Sequence, residues 1–270
     1  AIEPLVALLR SGGAVAQQEA AAALGNLAFA NADNSVAIAR AGAIEPLVAL
    51  MRSESAVAQQ EAAFALGKLA EDNADSQEAI ARAGAIEPLV ALVRGGSAGA
   101  QEAAPYALGN LGYGNADNRV AIARAGAIEP LVALLRSGSG WAQEAAAAAL
   151  RNLAHDNADN QEAIARAGAI EPLVALLRSG SGWAQEAAAD VLCILASASA
   201  DIRWAIARAG AIEPLVALVR SGDPELQRLA LLLKIGLNFF FKELLTIVAG
   251  ALLALYVVYS RWTARPRAKQ

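Results

Sequence analysis

Residues 41–48 read AGAIEPLV, and the same eight letters return at Ala83, Ala125, Ala167 and Ala209, always 42 positions on. The chain opens at Ala1 in the same frame. Self-similarity at about 40 to 47 residues marks a tandem helical array, in which each unit can bury its apolar face only by stacking on its neighbours. Breakers divide a unit into three helices. Asp33 or Asn34 can cap a short first helix through Ala41, because a side-chain oxygen there accepts an orphan backbone N–H. Gly42 then supplies the backbone of a sharp corner. A second helix is expected over 44–52, with Pro46 in its first turn where a missing N–H costs little. Leu47, Leu50 and Met51 give it one apolar side. A third is expected over 57–69, where Ala62, Leu66 and Leu69 form a stripe among small residues that permit close helix approach.

Composition agrees with this reading. Apolar types reach 56% of 270 residues while aromatics supply 5%, so the excess is aliphatic, about a quarter of the chain being Ala, the strongest helix former. Disorder is excluded by the low charge content of 18% and the recurring bulky aliphatics. With one cysteine, Cys193, and one histidine, His155, neither a disulfide framework nor a His/Cys zinc cluster can be assembled. The lone thiol suits a reducing compartment, and no cofactor or metal is expected. The net charge of −4 conceals an asymmetry: from Arg228 onward seven basic residues face Glu243 alone, which leaves −10 on the first 227 residues. An acidic body argues against nucleic acid as its partner. The chain begins in mid-pattern without Met, which suggests that the true N-terminus lies upstream.

The segments GAIEPLVALLRSG, QEAAxALGNLA and NADNxxAIARAG resemble the second, third and first helices of the armadillo repeat, over about residues 1–221 in five near-identical copies and the start of a sixth. The resemblance implies an all-α, right-handed α-solenoid of 42-residue three-helix repeats. Its third helices would line a concave groove for extended peptides or protein partners. In that family an Asn on each third helix bonds the backbone of a bound peptide, since an amide both donates and accepts, and an aromatic four residues earlier forms a side-chain pocket. The Asn position here reads Asn26, Lys68, Asn110, Asn152 and Ile194; the aromatic position reads Ala22, Phe64, Tyr106, Ala148 and Asp190. Three Asn and two aromatics therefore remain, and the resemblance implies a less regular contact surface than a groove for basic signal peptides. Asn26, Phe64, Lys68, Tyr106, Asn110 and Asn152 are its candidate residues.

Trp141 and Trp183 occupy equivalent sites before their third helices, and Trp204 replaces a Val or Glu of other copies. They are candidate contact residues, because exposed Trp is favoured at hot spots, though filling gaps between layers is the simpler expectation. Pro105 is read as lying early in its third helix. Gly95 to Gly99 spell G-x-S-x-G, but a nucleophile motif needs a preceding strand and a His base, and this segment falls in an interhelical loop. His155 beside Asp156 reads as solvated. Arg40, Arg82, Arg124, Arg166 and Arg208 recur with the period and are read as charges at helix C-termini. No catalytic constellation emerges, so an enzyme is not expected. Lys68, Pro105, Tyr113 and Trp204 break the pattern in ways that speak against a designed consensus.

After Ser221 the pattern departs. Residues 222–238 are expected to form a capping or linking helix, with Leu229, Leu231, Leu232 and Leu233 replacing Glu and Ala. Residues 239–262 are expected to span a membrane: 244–260 carry no charge, and 17 helical residues reach about 25 Å against a hydrocarbon core of about 30 Å, extended by Phe239 to Phe241. Lys242 at one end and Tyr256, Tyr259, Arg261, Trp262 and Arg265 at the other would sit at the interfaces, with a basic tail over 263–270. Thr246, Gly250 and Ala254 give one face of small side chains against which another membrane helix could pack. The expectation is a single-pass tail anchor in a bilayer, in an organelle membrane of plastid or mitochondrial type, with the repeats on the reducing side. Integral membrane subunits would be among its protein partners, and a tethered cargo or signalling adaptor is the alternative.

Overall fold

The computed structural model describes residues 1–219, which form sixteen helices and no strands. The expected capping helix, the membrane span and the basic tail lie outside the described residues, and with them Lys242, Thr246, Gly250, Ala254, Tyr256, Tyr259, Arg261, Trp262 and Arg265. Among the described residues no helix is long and apolar enough to cross a membrane.

The array opens on a second helix, α1 (Ile2–Ser11), and a third helix, α2 (Ala14–Ala28). Full copies then follow in order: α3 (Ala32–Arg40), α4 (Ile44–Leu50) and α5 (Ala56–Ala70); α6 (Ala74–Arg82), α7 (Ile86–Gly95) and α8 (Ala98–Gly112). The next are α9 (Ala116–Arg124), α10 (Ile128–Ser137) and α11 (Gly140–Ala154), then α12 (Ala158–Arg166), α13 (Ile170–Ser179) and α14 (Gly182–Ala198). The last described helices are α15 (Ala200–Arg208) and α16 (Ile212–Val219). Each third helix lies beside the third helix of the next copy, so α2, α5, α8, α11 and α14 stand in a row.

The core repeats with the sequence. Ile38, Ile80, Ile122, Ile164 and Ile206 on the first helices and Leu47, Leu89, Leu131, Leu173 and Leu215 on the second are all fully buried, as are Leu24, Leu66, Leu108, Leu150 and Leu192 on the third. Burial of each such side chain contributes about 1.5 to 3 kcal/mol, and the contribution recurs in every layer. The corner glycine of each copy, Gly42 and its counterparts, has φ between 74° and 80°, a region that a side chain would strain.

Local chemistry departs from expectation at several ends. The first helices are capped one turn earlier than expected: Asn31, Asn73, Asn115 and Asn157 accept from the backbone N–H three residues on, and Asp33 and Asn34 lie inside the helix. Residue 31 has extended backbone, which a cap requires, whereas 33 and 34 are already helical. The third helix α5 is one residue longer at each end than expected, and α4 stops at Leu50. Pro105 lies in the middle of α8 and is buried there. Arg82 and Arg166 stand in last turns as expected and pair with Glu78 and Glu162 one turn back. A different arginine set joins the copies: Arg10, Arg52, Arg94, Arg136 and Arg178, at the ends of second helices, donate to the corner-glycine carbonyl of the next copy at 2.7–3.3 Å.

Candidate peptide-binding groove

A row of third helices presents every fourth residue to one side, and between α2 and α11 that side forms an open groove of about 580 Å³. Phe64, Lys68 and Tyr106 line it together with Phe29, which follows α2, and Trp141 on α11. Glu61, Glu102 and Glu144 supply its carboxylates. Three of the six groove residues expected from sequence are thus brought together.

Phe64 and Tyr106 stack with ring centroids 6.3 Å apart. Their approach depends on Gly67, where a Cβ would stand 2.7 Å from the Tyr106 ring. The same adjacency runs along the row in altered form: where Gly67 gives way to Arg151 two copies later, the aromatic position carries Asp190, and the two pair at 3.4 Å. The Lys68 ammonium lies 4.4 Å from the Phe29 ring centre, 4.8 Å from Tyr106 and 5.7 Å from Phe64. It also meets the Glu71 carboxylate at 3.2 Å, to which the Tyr106 hydroxyl donates at 3.1 Å. Burial opposes the charge on Lys68, but Tyr106 and then Glu71 outweigh it and hold its pKa above the ordinary lysine value. Burial likewise pushes the Tyr106 pKa up, against the pull of Lys68. The Glu61 pKa is raised by burial and then by the nearby charge of Glu19.

The asparagines behave differently from the family pattern. Asn110 and Asn152 each donate one amide hydrogen to the third helix of the preceding copy, at Gly67 O (3.1 Å) and Gly109 O (2.9 Å), so they join copies and are not among the residues that line the groove. Asn26, in the first copy, is exposed. Trp141 and Trp183, in the first turns of third helices, are 72% and 71% exposed and Trp204, on the first helix α15, is 45% exposed, so none fills a gap between layers. Arg208 lies over the Trp204 ring at 5.7 Å. Ser97, the centre of the G-x-S-x-G string, accepts from Ala100 N–H as an N-cap. His155 is exposed, its Nδ1 3.1 Å from Asp156. Sequence reading missed Phe29, Glu71 and the groove carboxylates. Glu71 could have been found, since it stands three residues after Lys68, a pairing distance on a helix. Phe29 carries no such signal, its counterparts being Glu71, Tyr113, His155 and Ser197.

The armadillo/β-catenin-like repeat model matches residues 1–29, 31–71, 115–155, 157–197 and 199–232, well over half of the chain. The chain belongs to the armadillo repeat family. The matches pass over 72–114, the copy with Pro105 and Tyr113, which nonetheless keeps its three helices. Among solved structures, a crystallised engineered protein is 37% identical with a TM-score of 0.82, covering 88% of this chain and 97% of its own. Armadillo proteins computationally designed for modular peptide recognition are 28% identical at 0.79, covering 87% and 99%. A designed armadillo repeat protein crystallised with the peptide (KR)4 is 28% identical at 0.78, again covering 87% and 99%. No curated protein matches.

Proposed function

We propose that this armadillo array is a protein-interaction scaffold that holds an extended, basic segment of a partner in the groove between α2 and α11. The observation that carries this is the combination of exposed aromatic surface, Trp141 above all, with Glu61, Glu102 and Glu144 in one open channel. Aromatic faces and carboxylates together attract Lys and Arg side chains, and a contiguous apolar channel on an acidic body favours a partner over water. The designed relative crystallised with an alternating Lys-Arg peptide supports the same ligand class. The test is a titration of the full chain with fluorescein-labelled (KR)4 at low salt. Trp141→Ala is expected to weaken binding by about 2 kcal/mol, as a hot-spot aromatic does; unchanged affinity would remove the groove from the reading. Trp141 is a cleaner probe than Asn110 or Asn152, whose loss would also loosen the stack.

A membrane tether through 239–262 belongs to the same proposal and is supported by sequence alone, through the uncharged run 244–260 between Lys242 and Arg261. On that reading the scaffold is an accessory subunit in an organelle membrane, with the repeats on the reducing side and the face of Thr246, Gly250 and Ala254 against another membrane helix. Alkaline extraction of membranes carrying the full chain decides it. Retention in the pellet is expected, with release when 239–270 are deleted; release of the full chain would end the tether.

A further inference from the structure

The position of Lys68 is Asn in three other copies, Asn26, Asn110 and Asn152. In the second copy a cation stands there instead, enclosed by three rings at 4.4–5.7 Å and joined to Glu71, with its side chain only 8% exposed. Three ring faces and a carboxylate are what a ligand's ammonium or guanidinium would seek in this groove. The chain has already filled that site with its own side chain.

We infer that Lys68 is a built-in occupant of the aromatic cage and the specificity-determining residue of the groove, turning ligand cations away from the cage and leaving them the Glu102, Glu144 and Trp141 end. This rests on the groove reading above. A ligand cation entering the cage must either displace Lys68 from Glu71 and the rings or lie within a few ångströms of a like charge, and both oppose binding. Beyond the cage the balance reverses. Glu102 and Glu144 stand on α8 and α11, one and two third helices along the row from the α5 that carries Lys68, and Ser139 and Ser181 of the following copies donate to them at 2.7 and 3.4 Å, which orients their carboxylates. A basic peptide is therefore held from one end of the groove, with an uncharged residue opposite Lys68.

The experiment uses the full chain and the same labelled (KR)4 probe. Lys68→Ala empties the cage and is expected to tighten binding by about tenfold or more. Lys68→Asn, which installs the side chain of the other copies, is expected to do the same and keeps the test open if the alanine variant folds poorly. Lys68→Arg retains a cation and is expected to stay within about threefold of the wild type. Arg40→Ala removes the same charge from a first helix; tightening by this variant as well would reduce the effect to net charge and overturn the inference. Equal or weaker binding by both Lys68→Ala and Lys68→Asn would overturn it too. The two readings separate through Trp141→Ala: if that variant loses affinity while Lys68→Ala gains none, the groove stands and the role of Lys68 falls, whereas no effect of Trp141→Ala removes the groove itself.

Discussion

Ala30 has φ of 53°, a left-handed conformation that costs an L-residue about 1 kcal/mol or more. Its counterparts show why: Asp72 at 49°, Gly114 at 65° and Asp156 at 48° occupy the same turn between third and first helix. The turn needs positive φ in each of these copies, and the sequence meets the need unevenly, with glycine once, aspartate twice and alanine once. Ala30→Gly removes the steric conflict and adds entropy to the unfolded chain, so the net gain is expected to be about 0.5 kcal/mol, near 1–2 °C in thermal melting. Gly114→Ala is expected to move the melt the other way. A lower melting temperature for Ala30→Gly would show that the turn is not strained as described.

At the scale of the helix, the recurrent device is a side chain from each first helix that reaches seven residues back to the carbonyls closing the preceding third helix. Asn34 donates to Leu27 O at 2.8 Å, Asn118 to Leu111 O at 2.9 Å, Asn160 to Leu153 O at 2.9 Å, and Gln77 and Gln161 to Ala70 O and Ala154 O. The last carbonyls of a helix lack i+4 partners, and in every copy but the first these bonds are buried away from water, so the amides supply what solvent cannot. Asn160→Ala leaves Leu153 O unpaired in a buried setting and is expected to cost about 1–3 kcal/mol, read as faster hydrogen exchange in α11 and α12. Asn34→Ala, where the bond is half-exposed, is expected to cost less; equal losses at both sites would refute the dependence on burial. Helix order was legible in the sequence because Gly42, Pro46 and the Leu stripes act within a few residues of the chain. The amide bonds were not, since the same NADN string that caps α3 through Asn31 also carries Asn34, and only the packed geometry separates the residue that caps its own helix from the one that closes the helix before it. The groove divides the same way: Phe64 and Tyr106 are 42 residues apart and their stacking follows from the period, whereas the exposure of Trp141 and the descent of Lys68 between rings depend on how far each third helix projects.

A linear array draws its stability from each unit and from the interfaces between neighbours, so a whole period can be removed in frame without breaking a global core. Deleting 126–167 joins Ala125 to Gly168 through the same ARAGAIEP string that stands at each junction now. The third helix α14 would then lie beside α8, bringing Trp183 and Glu186 to the places of Trp141 and Glu144. The new interface sets Asp190 opposite Gly109 in place of Ala148, without the Arg151 that now pairs with it. The shortened chain is expected to remain helical, to melt lower than the full chain because one layer is gone and with it the Arg151–Asp190 and Arg166–Glu162 pairs, and to bind (KR)4 within about tenfold of the original affinity. Deleting 42–83 preserves the junction equally well but removes Phe64, Lys68 and Glu71 and sets Phe29 and α2 directly against α8. Both deletions shorten the array by the same length, so a difference between them reports the groove and not the loss of mass. If both fold and the second lacks Lys68's exclusion, its affinity for the basic peptide is expected to equal or exceed that of the first. The reverse order would mean that the attraction of Glu61, which is lost with the second copy, outweighs the exclusion by Lys68.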